Sequence, residues 1–512
     1  MSFPWLTVLA ALPIVGAIAL IALPRGRTNG VKQTAIVFTL ATLVLALVMA
    51  TQYSASEGGY QLTETHEWIG LFGAHYAVGV NGIGLTLILM TTILTPVVVL
   101  ASWKDGDTGR WSPNAFFAWM LLLEGLAIGV FAAMDVFLFY VLFEATLIPV
   151  YFLIGGFGGA KRSYAAIKFL LYSLVGGLLM LASVVGLYVV SAEAGEPSYL
   201  LTDLMSLDID ETTGRWLFLG FMVAFAIKAP MWPVHTWLPD ATAAGTPGTS
   251  VLLVSVLDKI GTFGMIRFCL GLFPEASQWA SPVVIVLALI SIIYGALLAI
   301  GQDDIRRLIA FTSVSHFGFI VLGIFVLNSQ STSGAALYMF NHGFSTAALF
   351  LVTGILIARR GSAKISDFGG VQKVAPLLAG IFLIAGLSSL SLPGLAPFVS
   401  EFLVLAGTFT HSIAAAVVAT VAIVLAALYI LLMYQRTMTG PLRDDNAGVT
   451  DLRPREVTAL APVVVLIIVF GFFPKPLLDV INPAVSDTLE HVGVHDPAPE
   501  HPATASTEEV HQ

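Results

Sequence analysis

Apolar runs of about twenty residues follow one another along almost the whole chain, separated by short polar stretches. About 20 such residues are what an α-helix needs to cross the hydrocarbon core of a bilayer. Inside that core only helices and closed barrels satisfy their own backbone groups. Fourteen spans are predicted, at roughly 3–23, 31–51, 81–102, 113–133, 134–156, 163–190, 215–237, 247–271, 279–300, 305–327, 333–358, 373–409, 411–435 and 457–474. The expected fold class is an all-α integral membrane protein of about 14 transmembrane helices. Residues 1–475 read as one polytopic membrane domain and 476–512 as a polar extramembrane tail.

Composition narrows this further. Only 11% of the residues are charged, against about 25% in a soluble chain, so a soluble domain with a single anchor is excluded. The net charge of −9 comes without any sizeable basic patch, which argues against nucleic acid as a partner. The single cysteine, Cys269, excludes an internal disulfide and a cysteine-ligated iron–sulfur cluster. No positive charge precedes the first apolar run, and Arg25, Arg27 and Lys32 follow it. That order indicates a retained first helix, not a signal peptide.

With both termini outside, Lys and Arg distribute seventeen to the cytoplasmic loops and three (Arg215, Arg267 and Lys475) to the outer side. This split obeys the positive-inside rule. The outer loop 191–214 is acidic, with Glu193, Glu196, Asp203, Asp208, Asp210 and Glu211. In the tail, His491, His495, His501 and His511 lack metal-ligand spacing, so a disordered tail is expected there and not a metal site.

Two spans carry interruptions. In the seventh, Lys228 is followed by Pro230, Pro233 and Pro239. In the twelfth, Pro393, Gly394 and Pro397 precede Glu401. Proline removes a backbone donor and clashes with the preceding turn. Non-helical backbone in a bilayer survives where protein buries it or where it lines a wet cavity. A packing kink is the plain alternative. Each break, however, lies within a few residues of an ionisable side chain, which favours function. The broken spans are five apart and so run in opposite directions. Spans 4–8 (about 113–271) and 9–13 (about 279–435) are thus expected to be two inverted five-helix repeats, each with a broken helix.

Charges inside the spans give the candidate chemistry. A lysine at the bilayer centre costs about 2.5–3.5 kcal/mol on insertion scales, and Lys228 and Lys259 both lie deep in apolar sequence. Glu124 and Glu144 are each ten residues from a turn near residue 134, which sets them at similar depth. A buried Glu–Lys pair such as Glu144 with Lys228 either holds helices together statically or makes each proton affinity depend on the partner. Asp258 precedes Lys259, but helix neighbours point about 100° apart, so Asp258 faces another helix or acts on Lys259 indirectly. His316 and His342 add groups that titrate near neutrality. Lys228, Lys259, His316, His342 and Glu401, on spans 7, 8, 10, 11 and 12, form a series across the bundle. His235 and the segment QDDIRRLIAFTSVSH are expected where the bundle meets water.

Six stretches, FLFYVLFEATLIPVYFLIG, IKAPMWPVHTWLPDA, LDKIGTFGMIR, QDDIRRLIAFTSVSHFG, FNHGFSTAALF and LPGLAPFVSEF, together resemble the antiporter-like membrane subunits of respiratory complex I. They occur in the family's order over about residues 80–435. Glu401 makes the M-type branch, the bacterial counterpart of mitochondrial NADH dehydrogenase subunit 4, the nearest resemblance, since the L-type branch carries lysine there. The resemblance implies that Glu144 and Lys228 are a modulating pair and Lys259 the central proton carrier. It makes His316 and His342 the relay and Glu401 the terminal site. It implies no cofactor in this chain, with flavin, iron–sulfur clusters and quinone in partner subunits of the same inner-membrane complex. The expected partners are those subunits, neighbouring antiporter-like chains above all, and membrane lipid. Three positions depart from the pattern: Thr242 replaces a histidine, Ala396 and Pro397 replace glycines, and Asp258 replaces an apolar residue. Two rival functions remain: a subunit of a sodium–proton antiporter or membrane-bound hydrogenase, and a structural spacer that moves no ions.

Overall fold

The structure, a computed structural model, describes residues 3–24, 26–107, 109–195 and 197–496. Arg25, Glu196, His501 and His511 lie outside the described residues. The chain forms α1 (Trp5–Ala22), α2 (Thr28–Ala50), α3 (Gly82–Ala101), α4 (Pro113–Ala132), α5 (Val136–Phe157), α6 (Arg162–Ala194), α7 (Glu211–Lys228), α8 (Trp237–Ala244), α9 (Pro247–Leu270), α10 (Pro274–Ile300), α11 (Ile305–Phe325), α12 (Ser329–Arg360), α13 (Pro376–Ser389), α14 (Ala396–His411), α15 (Ile413–Met438), α16 (Pro454–Phe472) and α17 (Lys475–Val492). Among the described residues, twelve helices are long and apolar enough to cross a membrane. The seventh and twelfth predicted spans are each a helix pair, α7–α8 and α13–α14.

Two elements were not expected. A hairpin of β1 (Gln61–Ile69) and β2 (Ala74–Val80), antiparallel, joins α2 to α3. Its first strand is too polar to register as an apolar run. The tail, expected to be disordered, is helical over α17. There Leu477, Ile481, Ala484, Val485, Leu489 and Val492 recur at helical spacing and are buried, against α3 and α12. An amphipathic face, with too few apolar residues for a span, is enough to dock a helix on a bundle.

The core of the bundle is α9, α11 and α12. The first two are buried throughout their apolar stretch and the third along most of it. Around them, α1, α2, α6, α10, α15 and α16 turn side chains such as Val15, Leu47, Leu174, Val286, Val424 and Val465 outward. An apolar outer surface suits lipid and membrane partners.

The breaks have local causes. Pro230 disfavours helical geometry at Ala229, which ends α7 at φ −88°, ψ 44°. The orphaned backbone groups find partners. Trp237 Nε1 donates to the Ile227 carbonyl at 3.0 Å, and the Trp232 N–H donates to Ser291 Oγ of α10 at 2.8 Å. Pro233 follows Trp232 through a cis peptide bond. In the second break, Ser391 and Gly394 take positive φ, 57° and 90°, in the stretch that holds Pro393. Asn341 Nδ2 of α12 donates to the Ala396 carbonyl at 2.8 Å. Pro239 and Pro397 lie in the first turns of α8 and α14. A missing N–H costs nothing there, so these two prolines start helices and do not break them.

His235, expected at the water boundary, is buried between the rings of Tyr294 and Phe311, at centroid distances of 5.2 and 6.3 Å. The polar contact at that level is Asp240 of α8, which takes Lys168 of α6 at 2.7 Å and Arg307 of α11 at 2.5 Å. One carboxylate thereby ties the second half of the broken span to both sides of the bundle.

Ile481 is fully buried in α17, so Ile481→Ala should cost about 2–5 kcal/mol. A lowered thermal midpoint of the detergent-extracted protein checks this, and an unchanged midpoint would place α17 off the bundle.

Candidate functional site

The site is built around one turn of α9. Residues Leu252–Leu257 and Met265–Leu270 form wide π-type turns, and the α-helical segment Asp258–Gly264 lies between them. Widened turns re-aim side chains and recur at functional sites. Here the result is a fully buried Lys259 whose Nζ donates to the Val254 carbonyl at 2.7 Å. The same nitrogen lies 2.6 Å from His342 Nδ1. It also sits 4.7 Å from the centre of the Phe317 ring, a cation–π distance.

From Lys259 the contacts continue in one direction. His342 Nε2 is 3.1 Å from Thr346 Oγ1 one turn along α12. The rings of His342 and His316 have centroids 5.2 Å apart, and His316 and Tyr338 are 5.9 Å apart. The Tyr338 hydroxyl donates to Glu401 Oε2 at 2.9 Å. The Ser391 hydroxyl, from the break between α13 and α14, donates to the same oxygen. The structure places Lys259, His342, His316 and Glu401 in one row, all of them buried. Tyr338 and Ser391 complete the row and were missed by sequence reading. The signal for Tyr338 was present: it lies four residues before His342, on the same helix face. No such spacing points to Ser391, whose place depends on the break.

The other half of the series is looser. Glu144 and Lys228 influence each other electrostatically, but they are not in contact. Lys228 Nζ has no hydrogen-bond partner among the described residues and sits by the rings of Phe143 and Phe169, at 5.2 and 5.7 Å. Glu144 lies one residue before the point in α5 where Pro149 leaves the Ala145 carbonyl without a helical donor. Its carboxylate leans on Gly177 of α6, where a Cβ would come within 1.8 Å of Oε1. Glu124 is buried on α4 beside Thr95, and no charged side chain among the described residues acts on it. The structure thus leaves it out of the series. Arg267, counted on the outer side near the end of its span, is buried in α9 and donates to the carbonyls of Phe131 and Ala133 at 3.2 and 2.7 Å.

Lys259–His342 and Tyr338–Glu401 lie within direct proton-transfer distance, whereas His342–His316 and His316–Tyr338 meet as ring contacts, across which a proton passes by way of a bridging water or a ring rotation. Among the described residues no group of three or more His, Cys, Asp and Glu side chains is arranged to hold a metal ion.

A helical membrane bundle with two interrupted helices and a buried titratable row has the architecture of ion-translocating membrane subunits. Residues 133–426 match the family described as NADH:quinone oxidoreductase/Mrp antiporter, TM, and the chain belongs to that family. It is 50% identical to NADH-quinone oxidoreductase subunit M of Mycobacterium tuberculosis, over 98% of both chains. Its fold superimposes with a TM-score of 0.87 on a chain of respiratory complex I from Thermus thermophilus with bound NADH, at 31% identity, covering 96% of this chain and 100% of that one. A chain of the Mrp complex from Dietzia sp. DQ12-45-1b shares the fold at a TM-score of 0.84 and 21% identity, covering 96% of this chain and 100% of that one.

Tyr338→Phe removes the hydroxyl that donates to Glu401. The carboxyl vibration of Glu401 in isotope-edited infrared spectra should shift in this variant, with the protein still inserted. A band at the wild-type position would show that the two groups do not bond.

Proposed function

We propose that this chain is the M-type proton-translocating membrane subunit of a respiratory NADH–quinone oxidoreductase. The observation that carries the reading is the buried row Lys259, His342, His316, Tyr338 and Glu401, hydrogen-bonded at both ends and joined by ring contacts between them. Lys259 releases a proton toward His342 Nδ1. The imidazoles hand it on, and Tyr338 accepts a proton on its oxygen while giving its own to Glu401. At each step one N–H or O–H bond breaks as another forms. Glu144 and Lys228 modulate Lys259 from the other side through their charges.

Redox centres belong to partner subunits in this reading, and the energy of NADH-to-quinone electron transfer reaches this chain as a change in the Glu144–Lys228 interaction. The two breaks, in spans of opposite direction, support inverted repeats over about 113–271 and 279–435. The distribution of Lys and Arg supports both termini on the outer side of the inner membrane. The Mrp likeness supports a rival reading as a sodium–proton antiporter subunit. Full-length identity to a complex I subunit favours the respiratory reading.

A positioned proton-transfer group contributes on the order of 10²–10⁴ in rate. Lys259→Ala and Glu401→Gln should therefore each depress NADH-driven proton translocation by about tenfold or more, while the complex still copurifies with its flavin and iron–sulfur subunits. Wild-type translocation in both variants would falsify the reading. Sodium flux in membranes given no redox donor would support the antiporter instead.

A further inference from the structure

Lys228 and Lys259 are the two cations of the series, yet nothing described so far joins them. The residue that stands between them is Asp258. It is completely buried, and neither carboxylate oxygen has a hydrogen-bond partner among the described residues.

Its direction follows from the packing of α9 on α7. A Cβ at Gly261 would lie 2.6 Å from the Phe225 carbonyl oxygen and 2.7 Å from the Ala229 nitrogen. The two backbones therefore touch at Gly261, immediately beside Lys228. At 3.6 residues per turn, Asp258 lies one turn before Gly261 and about 60° around the helix from it. Lys259 lies about 160° from Gly261, on the far side of α9, and reaches His342 there. Two adjacent residues thus face two different helices: the carboxylate faces α7 and the amine faces α12.

Charge interactions follow the same geometry. Lys228 feels both Asp258 and Glu144, and Asp258 feels both Lys259 and Lys228. A static role is the alternative, in which Asp258 merely neutralises buried lysines. A neutralising carboxylate, however, gains most from a fixed hydrogen-bonded pair, and Asp258 makes none with either lysine among the described residues.

We propose that Asp258 is the positioning carboxylate through which the charge state of Lys228 is transmitted to Lys259, shared by the two lysines across the waist of α9. This rests on the proton-translocating reading above. When Lys228 draws the carboxylate, Lys259 loses its counter-charge and releases its proton toward His342. When Lys228 turns to Glu144, Asp258 stabilises a protonated Lys259 again. No bond other than N–H is made or broken in this step.

The test uses the whole complex in its native membrane, with Asp258→Asn, Asp258→Glu, Glu144→Gln and Lys259→Ala compared for assembly, NADH oxidation and protons moved per NADH. Asp258→Asn should lower the proton ratio by as much as Lys259→Ala while NADH oxidation continues. Asp258→Glu should restore it, and adding Glu144→Gln to Asp258→Asn should cause no further loss. A wild-type ratio in Asp258→Asn overturns the proposal. It does so without touching the proton-translocating reading, provided that Lys259→Ala still fails to pump. If Lys259→Ala pumps normally, the underlying reading fails with it. If Asp258→Asn does not assemble, Asp258→Leu replaces it. A complex that assembles with neither shows a structural carboxylate and also overturns the proposal.

Discussion

A cation buried in the middle of a membrane protein is costly unless polar groups or rings take the place of water, and the rest of this fold is arranged around that demand at Lys259. The lysine stands at the centre of α9, whose apolar stretch is buried throughout. One contact is a backbone carbonyl of its own helix, and the other is an imidazole of α12. Neither carries a fixed negative charge. A lysine held this way keeps its position whether or not it is protonated, unlike a lysine locked to a carboxylate at contact distance.

Two helix breaks extend the arrangement. A continuous helix offers a bilayer no polar backbone. An interrupted one offers carbonyls, N–H groups and side chains that can be placed beside a titratable group. At the second break this delivers the Ser391 hydroxyl to Glu401. At the first it leaves the end of α7, with Lys228, packed directly on α9 at Gly261. The outer helices, apolar toward their surroundings, keep this row buried away from the surface of the bundle. Burial raises the value of each electrostatic contact inside.

Much of this was legible in the sequence because membrane proteins concentrate their information. Length and apolarity predict the spans, and a charge within one is conspicuous against its neighbours. Lys228, Lys259, His316, His342 and Glu401 stand out for that reason. What sequence could not supply was direction. Glu124 and Glu144 have equal depth by counting, yet only Glu144 feels a lysine. Arg267 counts toward the outer side by charge alone, and only the packing of α9 shows that it is buried. Polar residues with ordinary structural uses, Tyr338 and Ser391 among them, become part of the row only through tertiary contact. The hairpin β1–β2 and the amphipathic α17 escaped because a search for apolar runs passes over half-polar elements. The prolines Pro239 and Pro397 misled for the opposite reason: proline both ends and begins helices, and only the chain path decides which.

The central claim is that protons cross from Lys259 to Glu401 through the imidazoles between them. His342→Leu cuts that row at its second member and leaves both ends in place. The direct measurement is the number of protons moved per NADH oxidised by the assembled complex carrying this substitution. A clear fall, with NADH oxidation retained, is the result this account predicts. A wild-type ratio would contradict it and would mean that protons bypass the row.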